Sequence, residues 1–273
     1  VSGADFLMKR AAEDLADRIA AVERRFSKGA ALFCQTSAGV RVLAESPKVA
    51  EAVRVEADPA FLGGETIGTE QIIATAETVP FEPASLDLVV SLLSMQAMND
   101  IPGFIIQVRR ALKPDGLFLG AMAGAGTLAE LRESLLAAES ELYGGISPRV
   151  SPFVDVRDAG ALLQRAGLAL PVADIETITV RYDNMFGLMA DLRAMGETSV
   201  LSDRSRRPGT RRLFARAAEI YAERFADPDG RIRASFAMVW LSGWAPDASQ
   251  QKPLKPGSAR MSLAKALEDP GHS

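Results

Sequence analysis

The sequence predicts an α/β fold, a largely parallel sheet with helices on both faces. Short apolar runs alternate with segments of helical periodicity, the pattern of strands joined by crossover helices. One run, Leu86-Asp87-Leu88-Val89-Val90-Ser91, has the length and branched composition of a strand covered on both sides. With 273 residues, 48% of them hydrophobic, the chain is long enough to bury one substantial core.

The elements follow in order. Phe6, Leu7, Ala11, Leu15, Ile19 and Val22 recur at helical spacing, with charges between them, so residues 4–25 read as an amphipathic lead-in helix. Strands are expected at Ala30–Cys34, Ala52–Glu56, Gln71–Ala74, Leu86–Leu92 and Leu117–Met122. Ile101–Leu112 has a helical pattern, and Lys113-Pro114-Asp115-Gly116 reads as the turn that stops it and starts the fifth strand. Helices near Thr127–Tyr143 and Asp155–Ala166 then precede a strand at Ile175–Tyr182. Further helices near Met185–Met195 and Arg211–Phe225 lead to a last strand at Ile232–Trp244, where Phe236, Met238 and Trp240 alternate. The expected division is an N-terminal helix over 1–28, a sheet domain over 29–245 with a helical insertion at about 183–230, and a tail over 246–273 marked by Pro246, Pro253, Pro256 and Gly257.

Composition excludes several classes. The formal charge of −4 gives no global basic field, so nucleic acid is not an expected partner. No apolar run approaches the roughly 20 residues that span a bilayer, so stable membrane insertion is not expected. The N-terminus lacks the basic and apolar regions of a signal peptide. The single cysteine, Cys34, cannot form an internal disulfide, which points to a reducing compartment and a soluble cytoplasmic protein. The only histidine, His272, stands next to the last residue. A Ser-His-Asp triad, a Cys-His pair and a His-rich metal site are therefore not expected. Chemistry here would rest on carboxylates, hydroxyls, tyrosine or a bound cofactor, at the carboxyl ends of the strands.

Two motifs carry a resemblance. Ala76-Glu77-Thr78-Val79-Pro80-Phe81 with the run Leu86–Ser91, and Leu112-Lys113-Pro114-Asp115-Gly116 before the fifth strand, resemble the middle of many small-molecule methyltransferases. A narrower match joins Gly120-Ala121-Met122, Thr127-Leu128-Ala129-Glu130-Leu131-Arg132, the stretch Gly145–Phe153, Met195-Gly196-Glu197, Ser249-Gln250-Gln251-Lys252-Pro253 and Gly257-Ser258-Ala259. These resemble bacterial relatives of the mitochondrial complex I assembly-factor methyltransferases and, less closely, the malonyl-carrier-protein methyltransferase of biotin synthesis. The resemblance runs from about residue 5 to residue 267. It implies a Rossmann-like seven-stranded methyltransferase sheet, S-adenosylmethionine as cofactor, and action on a protein or carrier-bound substrate. Its eukaryotic members are associated with arginine hydroxylation of a respiratory-complex subunit rather than methylation.

The same resemblance assigns site positions. Active relatives end the first strand in Asp-x-Gly-x-Gly-x-Gly, whose glycines let the backbone approach the cofactor. Here the segment is Leu32-Phe33-Cys34-Gln35-Thr36-Ser37-Ala38-Gly39. Phe33 stands at the acidic position, and Cys34, Thr36 and Gly39 are the loop positions expected beside the cofactor. Thr36, Ser37 and Ala38 allow a tight turn, though not one with several positive-φ residues. Asp58 matches the carboxylate that accepts from the ribose hydroxyls. Thr75, Ala76 and Glu77 form the adenine-side loop, with Thr75 where an aspartate is common, and Ser94 follows the fourth strand. Gln96, Asn99, Met122 and Arg149 are candidate substrate contacts; Gln96-Ala97 replace a frequent His-Trp pair, and Arg149 has the fork to hold a carboxylate.

No catalytic side chain is assigned, since methyl transfer depends chiefly on alignment. Arg204, Arg206, Arg207, Arg211 and Arg212 form a basic cluster, either a solvated loop and helix start or a docking patch for an acidic protein. Three readings stand at this point: an S-adenosylmethionine-dependent enzyme, a non-catalytic binding or assembly protein paired with an active paralogue, or a binder of another nucleotide-like ligand.

Overall fold

The computed structural model describes residues 5–63, 69–198 and 209–250. Arg204, Arg206, Arg207 and the tail beyond Gln250 lie outside the described residues. Seven strands form one sheet in the order β3-β2-β1-β4-β5-β7-β6. They are β1 Phe26–Leu32, β2 Val49–Glu56, β3 Glu70–Ile73, β4 Leu86–Leu92, β5 Leu112–Ala123, β6 Ala169–Tyr182 and β7 Ile232–Trp244. Neighbouring pairs from β3 to β5 are parallel, and β7 runs antiparallel to both β5 and β6. The strand order reverses between β1 and β4, the switch point at which open α/β sheets bind ligands.

Alternation along the strands feeds two cores. On one face Leu88, Val90 and Leu92 of β4 pack with Leu15 and Ile19 of α1 (Phe6–Ala21) and Leu43 of α2 (Ala38–Glu45). On the other, Val89 joins Phe104 and Val108 of α3 (Ile101–Ala111) and Leu163 of α5 (Val156–Arg165). A third cluster joins α4 (Ala129–Tyr143), α6 (Met185–Ala194) and α7 (Arg211–Phe225) through Leu135, Leu188 and Tyr221. Helices α6 and α7 fall between β6 and β7.

Polar groups set the helix starts and the place of α1. Asp100 caps α3 by accepting from Gly103 N at 2.8 Å, and Thr210 caps α7 by accepting from Leu213 N at 3.2 Å. Arg10 pairs with Glu176 and Arg18 with Asp174 on β6. Arg18 also stacks over the Trp240 ring, 4.4 Å from its centroid. Lead-in helix and edge strand are thereby latched together.

One expected turn differs. Lys113-Pro114-Asp115-Gly116 does not precede the fifth strand but lies inside it, and Asp115 takes a φ of 63°. Register jumps from Leu86↔Leu112 to Leu88↔Leu117, so the extra residues bulge out of the ladder. Asp115 N and Gly116 O both bond Ala245, which holds the bulge in place. Pro-Asp-Gly chemistry bends the chain here without ending the strand.

Candidate functional site

The segments leaving β1, β2, β4 and β5 converge on the switch point. The β1 turn sets its shape. Phe33 and Gln35 both hold positive φ, 53° and 57°, although neither is glycine and the sequence argued against several such positions. A left-handed residue with a Cβ costs about 1–2 kcal/mol, so the surroundings must over-determine this turn. Phe33 N donates to Val55 O at 2.8 Å, and its ring packs against Phe104 with 6.1 Å between centroids. An apolar side chain at the expected acidic position thus turns into the core.

Cys34 and Gly39 belong to packing. The Cys34 thiol is buried, lies 3.7 Å from Leu32 O, and is pushed up to about 12 by desolvation and by Glu56. Gly39 is where α2 crosses it: an added Cβ would sit 2.9 Å from Cys34 Sγ. Neither lines the cleft cavities described below. Thr36 does, and its Oγ1 accepts from Ala38 N at 3.3 Å.

Of the two carboxylates at the end of β2, Glu56 lines the cavity and Asp58 does not. Asp58 is exposed, and its Oδ1 accepts from Ala60 N at 2.8 Å, capping the 3-10 turn Pro59–Leu62. Glu56, the last residue of β2, is buried, with Oε1 3.0 Å from Arg54 Nε and Oε2 accepting from Gln35 N at 3.1 Å. Burial raises its pKa despite the hydrogen bond and charge of Arg54. Arg54 Nη2 in turn donates to Phe61 O at 2.6 Å. In the sequence Glu56 closes β2 two residues before Asp58, and position alone does not tell which of the two lines the cavity.

The loops after β3 and β4 are clasped together. Glu77 Oε1 accepts from Asn99 N and Nδ2 at 2.8 and 3.0 Å, and Oε2 from Asp100 N at 3.0 Å. These bonds, first among them Asn99 N, hold the Glu77 pKa below the ordinary glutamate value. Asn99 therefore serves the clasp. Ala76 and Glu77 line the cavity toward β2, whereas Thr75 is exposed and accepts from Thr78 N at its carbonyl. Ser94 is buried in the same wall, its hydroxyl 3.2 Å from Ser91 Oγ.

The substrate-side candidates scatter. Gln96 lines the cavity toward β5, its Nε2 donating to Leu93 O at 2.7 Å. Met122 is buried in the core. Arg149 lines neither cleft cavity: its Nε and Nη2 each stand 2.7 Å from Oε1 of the buried Glu139, beside Ser147. The carboxylate its fork holds is internal. Glu197 and Phe153, which end the motifs Met195-Gly196-Glu197 and Gly145–Phe153, line the cavity toward β5. The Glu197 pKa is raised by burial, against a hydrogen bond from Gln96.

Two cavities lie at the switch point, one toward β2 and one toward β5, with volumes of about 130 Å³ each, and Gln35 lines both. Small-molecule sites typically hold about 300–1,000 Å³.

Comparison with known proteins now defines the class. Residues 31–120 match the family described as "Methyltransferase domain". The YcgJ protein of Bacillus subtilis has the same fold at a TM-score of 0.57 and 17% identity, over 87% of this chain and 99% of that one. The chain is thus a class I S-adenosylmethionine-dependent methyltransferase-fold protein. More narrowly, it is 37% identical over 261 residues to the human "Arginine-hydroxylase NDUFAF5, mitochondrial", covering 95% of this chain and 75% of the relative. Identity to the Danio rerio counterpart is 42% over 198 residues, covering 72% of this chain and 61% of the relative. The chain belongs to the NDUFAF5 family, while spanning only part of its relatives' length.

S-adenosylmethionine is the cofactor of this class, and Glu56, Ala76, Glu77 and Ser94 line one cavity at the switch point where it would be held. Where the class pattern has glycines and an acid beside the methionine part, Gln35 lines both cavities at positive φ and Phe33 is in the core. The carboxylate at the end of β2 accepts from Arg54 at one oxygen and from Gln35 N at the other. Among the described residues no helix is long and apolar enough to cross a membrane.

Proposed function

We propose that this chain is a non-catalytic member of the NDUFAF5 family that works by binding protein during assembly of a respiratory complex I-type enzyme, in the cytoplasm and beside an active paralogue. The observation that carries this reading is the size of the two cavities at the switch point, about 130 Å³ each with Gln35 lining both, where one cofactor cleft would run. The family relationship supports the assembly role, and the locked Glu56–Arg54 pair supports the loss of turnover.

A second reading, an S-adenosylmethionine-dependent enzyme acting on a protein or carrier-bound group, draws on one observation: Glu56, Glu77 and Ser94 still share a cavity wall. Ala76 separates the two readings, because it is exposed and lines that cavity. In a strain lacking the gene, Ala76→Trp fills the cleft from a solvent position and should restore assembled complex I as well as the unaltered chain does. Restoration by the unaltered chain but not by folded A76W would favour the enzyme. No assembly defect on deletion would remove the assembly role.

A further inference from the structure

Outside the cleft, a cavity of about 520 Å³ lies between α4 and the loop 144–153. Leu135, Leu136, Ile146, Pro148 and Phe153 make its walls apolar. Ile146 remains 68% exposed at its rim and extends these apolar walls to the cavity mouth. The cavity size is that of a small-molecule site rather than a packing gap.

Two arginines belong to this lining, and they differ in their partners. Arg149 is neutralised by the buried Glu139, which also accepts from Ser147 N at 2.7 Å and so fixes the loop. Arg132 has only carbonyl partners: Nη2 donates to Ser151 O at 3.0 Å and to Thr127 O at 3.5 Å. Among the described residues no carboxylate pairs with Arg132. Neighbouring α4 acids are engaged elsewhere, Glu130 with Ser235 and Glu133 with Arg224. A held, apolar cavity therefore carries one uncompensated guanidinium.

We propose that this cavity binds an amphipathic carboxylate, with its head on the free edge of Arg132 and its acyl body against Leu135, Leu136 and Ile146. A guanidinium is the cation whose planar fork matches a carboxylate. The apolar walls select an aliphatic body over a small inorganic anion. The site stands apart from the cofactor cleft and does not depend on whether that cleft is used.

The test is calorimetric titration of the full chain with decanoate below its micelle-forming concentration, with octanoate, 1-octanol and octylamine as comparisons and no S-adenosylmethionine present. Saturable one-to-one binding of the carboxylates is expected, with octylamine excluded and octanol weaker than octanoate. Arg132→Gln should weaken decanoate about tenfold or more, the range of a lost charge-assisted hydrogen bond. Ile146→Asp, at an exposed position that folding does not need, should weaken it similarly by setting a like charge at the rim. Equal binding of octanol and octanoate, non-saturable uptake, or undiminished affinity in folded I146D would overturn the proposal.

Discussion

Glu56 Oε1 lies 3.0 Å from Arg54 Nε, and the two side chains are 1% and 3% exposed. This pair joins the end of β2 to the β1 turn through Gln35 N and to the Pro59–Leu62 turn through Phe61 O. Removing one member leaves a buried charge alone, which costs about 3–5 kcal/mol. Arg54→Met should show that loss in urea unfolding, and the double change R54M/E56L should recover most of it.

The pair also has a pH signature. Burial raises the Glu56 pKa above the ordinary 4.5, so its contribution to stability is fully present below that value and is lost as pH rises through the folded pKa. Without Arg54 the carboxyl is more easily protonated still. The R54M penalty should be smallest near pH 4 and largest at neutrality, in unfolding curves collected across that range.

Glu139 behaves in the opposite sense. Burial works to raise its pKa, but bonds from Ser147 and Arg149 outweigh it and hold the value below 4.5. Its contribution is therefore present above 4.5 and lost as pH falls through the lowered folded pKa. Glu139→Gln should cost about 1.5–3 kcal/mol at neutral pH, the worth of hydrogen bonds to a charged group. It should also flatten the acid side of the stability profile.

Gln35 occupies a conformation suited to glycine. Gln35→Gly trades relief of about 1–2 kcal/mol in the folded state against about 0.5–1 kcal/mol of added unfolded-state entropy. Thermal unfolding should show a protein as stable as the original or slightly more so. The same change removes a side chain that lines both cavities at the switch point, so any S-adenosylmethionine affinity should rise in Q35G. Asp58→Ala should leave that affinity unchanged and cost only its cap, about 1 kcal/mol.

Gly124 tests the packing beyond β5. A Cβ there would overlap Val239 Cγ2, and a β-branched side chain in a strand has few rotamers to retreat into. Gly124→Ala should destabilise by about 1–3 kcal/mol in urea unfolding.

The fold was legible because its signals are periodic. The β4 run and the spacing of Leu15 and Ile19 on α1 report burial directly. The bulge at Asp115 was not legible, because Pro-Asp-Gly signals a bend and only the ladder with β4 and the bonds to Ala245 decide that the strand continues. Ser94 and Glu77 lie beside the switch point, where their places after β4 and β3 put them, and line one cavity. The resemblance points to Asp58 while Glu56 lines the cavity, because a sequence shows which carboxylates are near a strand end, not which one a neighbouring arginine holds. The Arg149 partner was hidden for a similar reason: Glu139 stands ten residues away, across the end of α4. Positive φ at Phe33 and Gln35 contradicts the residue types, and only the assembled turn discloses it.

The most direct measurement is calorimetric titration of the purified full chain with S-adenosylmethionine and with S-adenosylhomocysteine, beside Gln35→Gly. Cavities of this size predict no saturable heat with either ligand at millimolar concentration in the unaltered chain. Micromolar binding by the unaltered chain would contradict the non-catalytic reading and return the protein to the enzymes of its family.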